Sequence, residues 1–348
     1  MGDDDVDGVA FRFGVIADPQ FADADDHHNF HKTSMRYYRG SLDVVKEAVE
    51  HWNSIQSPPV SLVLQLGDLI DGKAQHNGGS EQCLQRVLEE VAQCSCKEWY
   101  HAIGNHELYN FTLDELADKL DTRRRSAFEM ETAGAGVQPE AREYYDWVPH
   151  EGWRFVMLHP FEQNIIEKPR SGPRYEAALK LLRKNNPNDV LKATVNWSEG
   201  LRGLQKRFVP FNGAMGSEQI AWLRRVLAHA QSKREWVVIC SHLPFLQAAS
   251  QGLCLLWNYD EVLEVLNDYK LPDCTPVVRL VLSGHDHNGG FAVDERSGVA
   301  HLTLASPLEC WPGVETAYGV VEAFDDGRLR VRGAGKVPSV RLPPRPPQ

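Results

Sequence analysis

No apolar run in this 348-residue chain is long enough to cross a bilayer. The start, Met1-Gly2-Asp3-Asp4-Asp5, lacks the basic and apolar regions of a secretory leader. Gly2 invites a myristoylation reading, but the sixth residue is Val6 rather than Ser or Thr. The expectation is a soluble, cytoplasmic, monomeric protein without membrane attachment. Basic residues are short: 37 Lys and Arg against 48 Asp and Glu, a net charge of −11. That balance argues against a nucleic-acid partner held through phosphate contacts. It leaves room for a small anionic ligand, because bound divalent cations reverse the local field. The seven cysteines, an odd number, suit free thiols in a reducing compartment better than a disulfide framework. Cys94-Ser95-Cys96 has no second pair to complete a zinc site and reads as surface or half-buried thiols.

Hydrophobic residues make up 42% and charged residues 24%, enough for a sizeable core. Residues 1–9 read as a disordered acidic tail and 336–348 as a Pro-rich tail. Between them, 10–335 reads as one domain, with no repeat and no clear linker. Tyr38, Leu42, Val45, Val49 and Trp52 recur at three- and four-residue steps and predict a helix over about 35–56, stopped by Pro58-Pro59. A second helix is predicted over about 217–231 with Ser217 as N-cap, and a third after Asn258. The stretch 160–216, rich in Asn, Arg, Lys and Pro, reads as an insertion with one helical pattern near 175–182. Segments 301–305, 318–323 and 328–333 read as antiparallel strands, with Asp325-Asp326-Gly327 as a turn.

Five apolar runs, 11–17, 61–66, 99–103, 236–240 and 277–283, read as buried strands, and each ends in a polar cluster. The clusters are Asp18-Pro19-Gln20, Gly67-Asp68-Leu69-Ile70-Asp71, Gly104-Asn105-His106-Glu107, Ser241-His242-Leu243-Pro244 and Gly284-His285-Asp286-His287. Ligands of open α/β sheets bind outside the carboxyl ends of the strands. Taken singly, each cluster has a plainer reading: an Asp or Asn after a strand is usually a turn residue, and His242 could be a core histidine. Five metal-competent clusters in that one position would need several independent coincidences. If strand alternation persists, Asp18 with Gln20, and His285 with His287, each aim two side chains at one locus. Asp68 is the natural shared carboxylate. One ion would then take Asp18, Gln20, Asp68 and His287, the other Asp68, Asn105, His242 and His285. Two ions ~3.5–4 Å apart can clamp the attacking and leaving oxygens of an in-line displacement.

These motifs resemble the calcineurin-like metallophosphoesterases, whose signature is D-x-H, G-D-x-x-D, G-N-H-[ED], H and G-H-x-H. Four match fully; Gln20 stands where most members carry His. That substitution is similar to one subgroup, the manganese-dependent ADP-ribose/CDP-alcohol diphosphatases. So are Asn29-Phe30 with Arg36-Tyr37-Tyr38-Arg39, Asn196-Trp197, Phe211-Asn212-Gly213-Ala214-Met215-Gly216, and 254–260 with its Trp257-Asn258-Tyr259. The resemblance, over about 10–333, implies an α/β, four-layer αββα sandwich. It also implies a dimetal hydrolase that cleaves the phosphoanhydride of ADP-ribose and of CDP-alcohols such as CDP-choline and CDP-glycerol. An amide oxygen in place of imidazole makes the site harder, which suits Mn or Mg better than Zn; Fe is a further alternative.

By the same resemblance, His106 donates to the leaving oxygen and Asp71 orients it. Arg36 or Arg39 would neutralise the second phosphate. Phe30, Trp257 and Tyr259 would pack on base or ribose, Asn29 and Asn212 would make polar contacts, and Leu201 and Cys254 would line the cleft. For each aromatic, core packing is the plainer alternative. His27, His28, His31 and His76 read as solvated loop residues. Rival readings are a cyclic-nucleotide phosphodiesterase, a phosphomonoesterase, or a metal-poor interaction scaffold on the same fold. Gly72-Lys73 after Asp71 counts against a protein phosphatase, which carries Arg-Gly there.

Overall fold

The computed structural model describes residues 8–344 apart from His31 and Ala135. His31 and most of the acidic tail therefore lie outside the described residues. Two six-stranded sheets form the middle of the molecule. The first runs β14 (Val340–Leu342), β13 (Leu329–Gly335), β12 (Ala317–Phe324), β1 (Val9–Ile16), β4 (Val60–Gln65), β5 (Trp99–His101). The second runs β10 (Gly290–Val293), β11 (Ala300–Thr303), β9 (Val278–Ser283), β8 (Trp236–Ser241), β7 (Trp153–Met157), β6 (Tyr145–His150). A separate two-stranded ribbon pairs β2 (His27–His28) with β3 (Met35–Arg36).

The sheets face each other through aromatic side chains. Phe13 meets Phe155 edge-on at 5.0 Å between ring centroids, and Trp153 Nε1–H donates to the Phe324 carbonyl across the gap. Helix Ser41–Ser54 covers the first sheet: Trp52 donates from Nε1 to the Gly319 carbonyl and meets Trp99 at 5.8 Å. Helix Ser217–Lys233 contacts β8 of the second sheet. The layers are thus αββα, and one large apolar cluster runs through both sheets. Strands β1, β4 and β5 are mutually parallel, as are β7, β8, β9 and β11. Parallel strands buried on both faces read as continuous apolar runs, which is why the sequence showed them so clearly. No described helix is long and apolar enough to cross a membrane.

Several expectations need correcting. The first helix begins at Ser41, so Arg36 lies in the ribbon and Arg39 in the turn before the helix. The apolar stripe misled because Tyr38 serves a different small cluster, with Ala22 and Leu308. Ser217 does not cap its helix. Gly216 occupies that position, and its N–H is taken at 2.7 Å by the Glu162 carboxylate. The segment near 301–305 belongs to the second sheet, where it pairs antiparallel with β10 as expected of it but parallel with β9. In the Pro-rich end, Val340–Leu342 pairs antiparallel with β13, so part of that stretch is sheet. Within the insertion, helix Pro173–Asn185 contributes to a separate core of Ile165, Ala178, Leu182, Val190, Phe208, Ala214 and Trp257. All seven cysteines are free; Cys94 and Cys96 are buried.

Candidate metal centre

The loops leaving β1, β4, β5, β8 and β9 converge at one end of the sandwich. Alternation does not survive into them. Asp18, Gln20, Asp68 and His285 all adopt left-handed backbone, with φ of 51°, 46°, 55° and 68°. Such conformations cost of order 1–3 kcal/mol each for non-glycine residues and persist where the surroundings over-determine them. Here backbone hydrogen bonds do so: Asp18 N–H to the Gly67 carbonyl at 3.1 Å, Gln20 N–H to the Asp68 carbonyl at 2.9 Å, and Gly284 N–H to the His242 carbonyl at 3.0 Å. The motif glycines make room for the carboxylates. A Cβ on Gly104 would sit 2.1 Å from Asp68 Oδ1, and one on Gly284 would sit 2.4 Å from Asp18 Oδ2.

Glu107, whose role the sequence did not disclose, is almost wholly buried and holds two of these loops together. Its carboxylate accepts from the N–H groups of Asp68 (2.7 Å), Leu69 (2.6 Å) and Gly104 (2.8 Å).

Each imidazole is fixed by a partner on its far side. His242 Nδ1–H donates to the Leu66 carbonyl at 2.8 Å, which leaves Nε2 bare. His285 uses Nε2–H toward Asn212 Oδ1 at 2.8 Å, which leaves Nδ1 bare. His287 gives Nδ1–H to Glu309 at 2.9 Å, which leaves Nε2 bare. These bare nitrogens face other acceptors. His242 Nε2 lies 3.1 Å from His285 Nδ1, 3.2 Å from Asn105 Oδ1 and 3.4 Å from Asp68 Oδ2. His287 Nε2 lies 3.8 Å from Asp18 Oδ1, which is buried and has no hydrogen-bond partner. Lone pairs aimed at lone pairs in a buried place are unfavourable unless a cation, or failing that a proton, lies between them.

Gln20 reaches the same locus. Its amide nitrogen lies 3.0 Å from Asp68 Oδ2 and 2.9 Å from His287 Nε2, while its Oε1 is buried without a partner. Half a turn of the amide exchanges the two atoms and makes Gln20 an oxygen donor to that locus. The donor set fits two hard divalent cations that share Asp68. Asp68, His242 and His285 alone bring one donor atom each to within 4.8 Å of one another.

The electrostatics follow from burial among these groups. Burial pushes Asp18 up to about 6, helped by Asp68 and opposed by His242. Burial acts on Asp68 in the same sense, but the His242 and His106 imidazoles overcome it and hold the carboxyl below the ordinary range. Burial would lower His242, yet Asp68 and Asp18 raise it to about 9. His285 is pushed well below the ordinary imidazole value by burial and by His242.

His106 lies beside this cluster, its Nε2 3.9 Å from Asp68 Oδ2. Two groups compete for its Nδ1: the Gly72 N–H at 2.7 Å and Asp71 Oδ2 at 3.2 Å. Neutral, the ring accepts from Gly72 and carries its proton on Nε2. Protonated, it donates from Nδ1 to Asp71. Either way Nε2–H points away from these partners and is a donor. Burial would lower this imidazole, but Asp68 and Asp71 raise it to about 9.

The structure therefore brings together Asp18, Gln20, Asp68, Asp71, Asn105, His106, His242, His285 and His287. It divides the substrate candidates. Asn212 is fully buried behind His285, and its amide nitrogen donates to the Arg207 and Leu253 carbonyls, so it orients a ligand and is not open to substrate. Trp257 is 2% exposed in the insertion core, which removes it as a base platform. Asn29 spends its amide on Thr33 and Ser34. Phe30, 68% exposed, sits in the turn between β2 and β3. Arg36 is half-buried, 3.7 Å from Glu309. Arg39 is exposed and paired with Asp23 and Asp25. Leu201 is buried in the insertion, and Tyr259 lies under the Arg207 guanidinium at 5.1 Å. The Cys254 thiol, in the short turn Gly252–Cys254, is pushed well up by burial, with Asp286 and Asp18 adding to the rise. His27, His28 and His76 are exposed, as expected.

Comparison with known proteins gives a concordant picture. The calcineurin-like phosphoesterase family matches residues 11–289. A Bos taurus protein named manganese-dependent ADP-ribose/CDP-alcohol diphosphatase is 39% identical over 332 residues, 94% of this chain and 92% of its own. Its Homo sapiens namesake is 37% identical over 94% of this chain and 91% of its own. The crystal structure of a dimetal phosphatase from Danio rerio superposes with a TM-score of 0.82 at 32% identity, covering 96% of this chain and 98% of that one.

Proposed function

The chain belongs to the calcineurin-like phosphoesterases, and on that premise we propose that it hydrolyses the phosphoanhydride of ADP-ribose and of CDP-alcohols. The products are a nucleoside monophosphate and a sugar or alcohol phosphate. The reading rests above all on one observation: acceptor atoms of Asp68, Asn105, His242 and His285 converge in a chain 39% identical to a diphosphatase of that name. Asp18, Gln20, Asp68 and His287 would hold one divalent ion; Asp68, Asn105, His242 and His285 would hold the other, with manganese preferred. When bound, such ions supply Lewis-acid polarisation of the phosphoryl oxygens.

The chain's own groups do the rest. His106 presents Nε2–H to the oxygen that departs, and Asp71 receives Nδ1–H when the ring is charged. Glu107 keeps the loops of Asp68 and Asn105 at fixed separation. Arg36, on the ribbon, offers a positive charge to the second phosphate. Phe30, Leu201, Cys254 and Tyr259 are the remaining contacts proposed for the nucleoside. The acidic balance supports an enzyme without a nucleic-acid partner and the free cysteines a cytoplasmic setting; a monomer without membrane attachment completes the proposal.

A substrate panel tests the proposal. With saturating Mn2+, ADP-ribose and CDP-choline should be hydrolysed well ahead of cyclic AMP and p-nitrophenyl phosphate. Faster cleavage of either of the last two, or no cleavage of any, would refute it.

A further inference from the structure

Glu309 ends the short turn Pro307–Glu309, which follows β11. Its side chain is 11% exposed and accepts from His287 Nδ1 at 2.9 Å. Burial would raise this carboxyl, but His287, Ser34 and Arg36 all act to hold it below its ordinary value. Arg36 Nε, buried and without a hydrogen-bond partner, lies 3.7 Å away. One residue earlier in the turn, the Leu308 carbonyl accepts the Tyr37 N–H at 2.7 Å. Ser34, Arg36 and Tyr37 form the returning limb of the ribbon whose turn carries Asn29 and Phe30. One carboxylate therefore touches a candidate metal ligand on one side and the candidate nucleotide ribbon on the other.

The three imidazoles of the centre are not backed alike. His242 rests on a backbone carbonyl and His285 on an amide, both neutral. His287 rests on a carboxylate. An anionic partner makes an imidazole a stronger donor and locks its tautomer, and such outer partners are worth ~10–100-fold in metal affinity. That extra strength lies on the side of the centre where Gln20 brings an amide in place of imidazole.

We propose that Glu309 is a positioning residue that acts through His287 on the centre and through Arg36 on the ribbon. Ion binding and nucleotide binding are thereby coupled through this single carboxylate. Coupling is reciprocal: a nucleotide that settles the ribbon tightens the ion, and the ion tightens the nucleotide. This inference rests on the functional reading above.

The test is a Mn2+ titration of metal-depleted protein, followed by the EPR signal of free Mn2+, with and without AMP. Wild type should bind more tightly when AMP is present. Glu309→Ala should weaken Mn2+ binding by ~10–100-fold and abolish the AMP effect. Glu309→Gln keeps an acceptor for His287 and should lose less affinity, which also covers failure of the Ala variant to fold. On a His287→Ala background, Glu309→Ala should change Mn2+ affinity little further. Glu315→Gln, in the same loop but paired with Lys336 at 3.0 Å, should bind Mn2+ as wild type does. Superimposable isotherms for wild type and both Glu309 variants would overturn the inference. So would equal losses in the His287→Ala background, or no effect of AMP on wild type. A wild-type chain that takes up no Mn2+ would defeat the functional reading itself and this inference with it.

Discussion

Two buried polar nests in this molecule look alike by composition and differ in one respect. In the first, Arg154 is fully buried on β7 and donates to Asp146, to Glu235 at 2.6 Å and to Glu131 at 3.0 Å. Lys233 and His229 complete Glu131. Donors meet acceptors throughout, and the cation is part of the chain. In the second, around Asp68, carboxylate and amide oxygens and imidazole nitrogens face one another, and these contacts involve no Lys or Arg of the described residues. The first nest is a completed ion network. The second is a set of acceptors organised for cations that come from outside. Polar burial alone does not mark a functional site; the imbalance of donors and acceptors does.

Breaking the second nest should have the largest effect. Asp68 has φ of 55°, so Asp68→Asn is the cleanest variant, because Asn tolerates that backbone and only the charge is lost. Activity should fall by more than the ~10–100-fold that outer partners cost, with the thermal midpoint little changed. An active Asp68→Asn enzyme would contradict the shared-ligand assignment.

Converting the first nest into the second should cost stability in place of activity. Arg154→Met leaves Asp146 and Glu235 buried without their counter-charge, a loss of about 3–5 kcal/mol, measurable by urea denaturation. A loss under about 1 kcal/mol, the range of surface pairs, would show that the network is dispensable.

Changing one donor of the second nest should have a subtler result. Gln20→His should raise zinc-supported relative to manganese-supported hydrolysis severalfold. An unchanged ratio of the two activities would remove Gln20 as the source of metal preference.

The smallest effect concerns the rim of the first nest. Burial would raise Glu131, but Lys233, His229 and Arg154 hold it at about 2. A depressed carboxyl contributes stability that is present above its unfolded value, about 4.3, and is lost as the pH falls through about 2. Glu131→Gln should therefore flatten the acid limb of the stability profile below about pH 4.3. Identical acid limbs would argue against the depression.

The contrast also explains what could be read from the chain before its fold. The core strands and the groups at their ends were legible because each motif is local: an apolar run, a glycine, a ligand. The αββα layering came from the resemblance those motifs carry. The outer partners were not legible. Asn212 lies 73 positions from His285 and Glu309 lies 22 from His287. Nothing in the local pattern of either says that it backs an imidazole. Glu107 stood inside a motif, but its three backbone partners come from two separate loops. Arg36 was assigned to a helix because Tyr38 happens to continue the helical spacing. Trp257 was open to two readings, a base platform and the plainer core packing, because aromatic residues serve clefts and cores with the same chemistry; the structure bears out the core.

The central claim is that Asp68 is shared between two cations. Anomalous diffraction at the manganese edge from a crystal grown with Mn2+ tests it directly. The account predicts two peaks ~3.5–4 Å apart, with Asp68 in contact with both, Gln20 on one and Asn105 on the other. A single peak, or a pair from which Asp68 is remote, would contradict it.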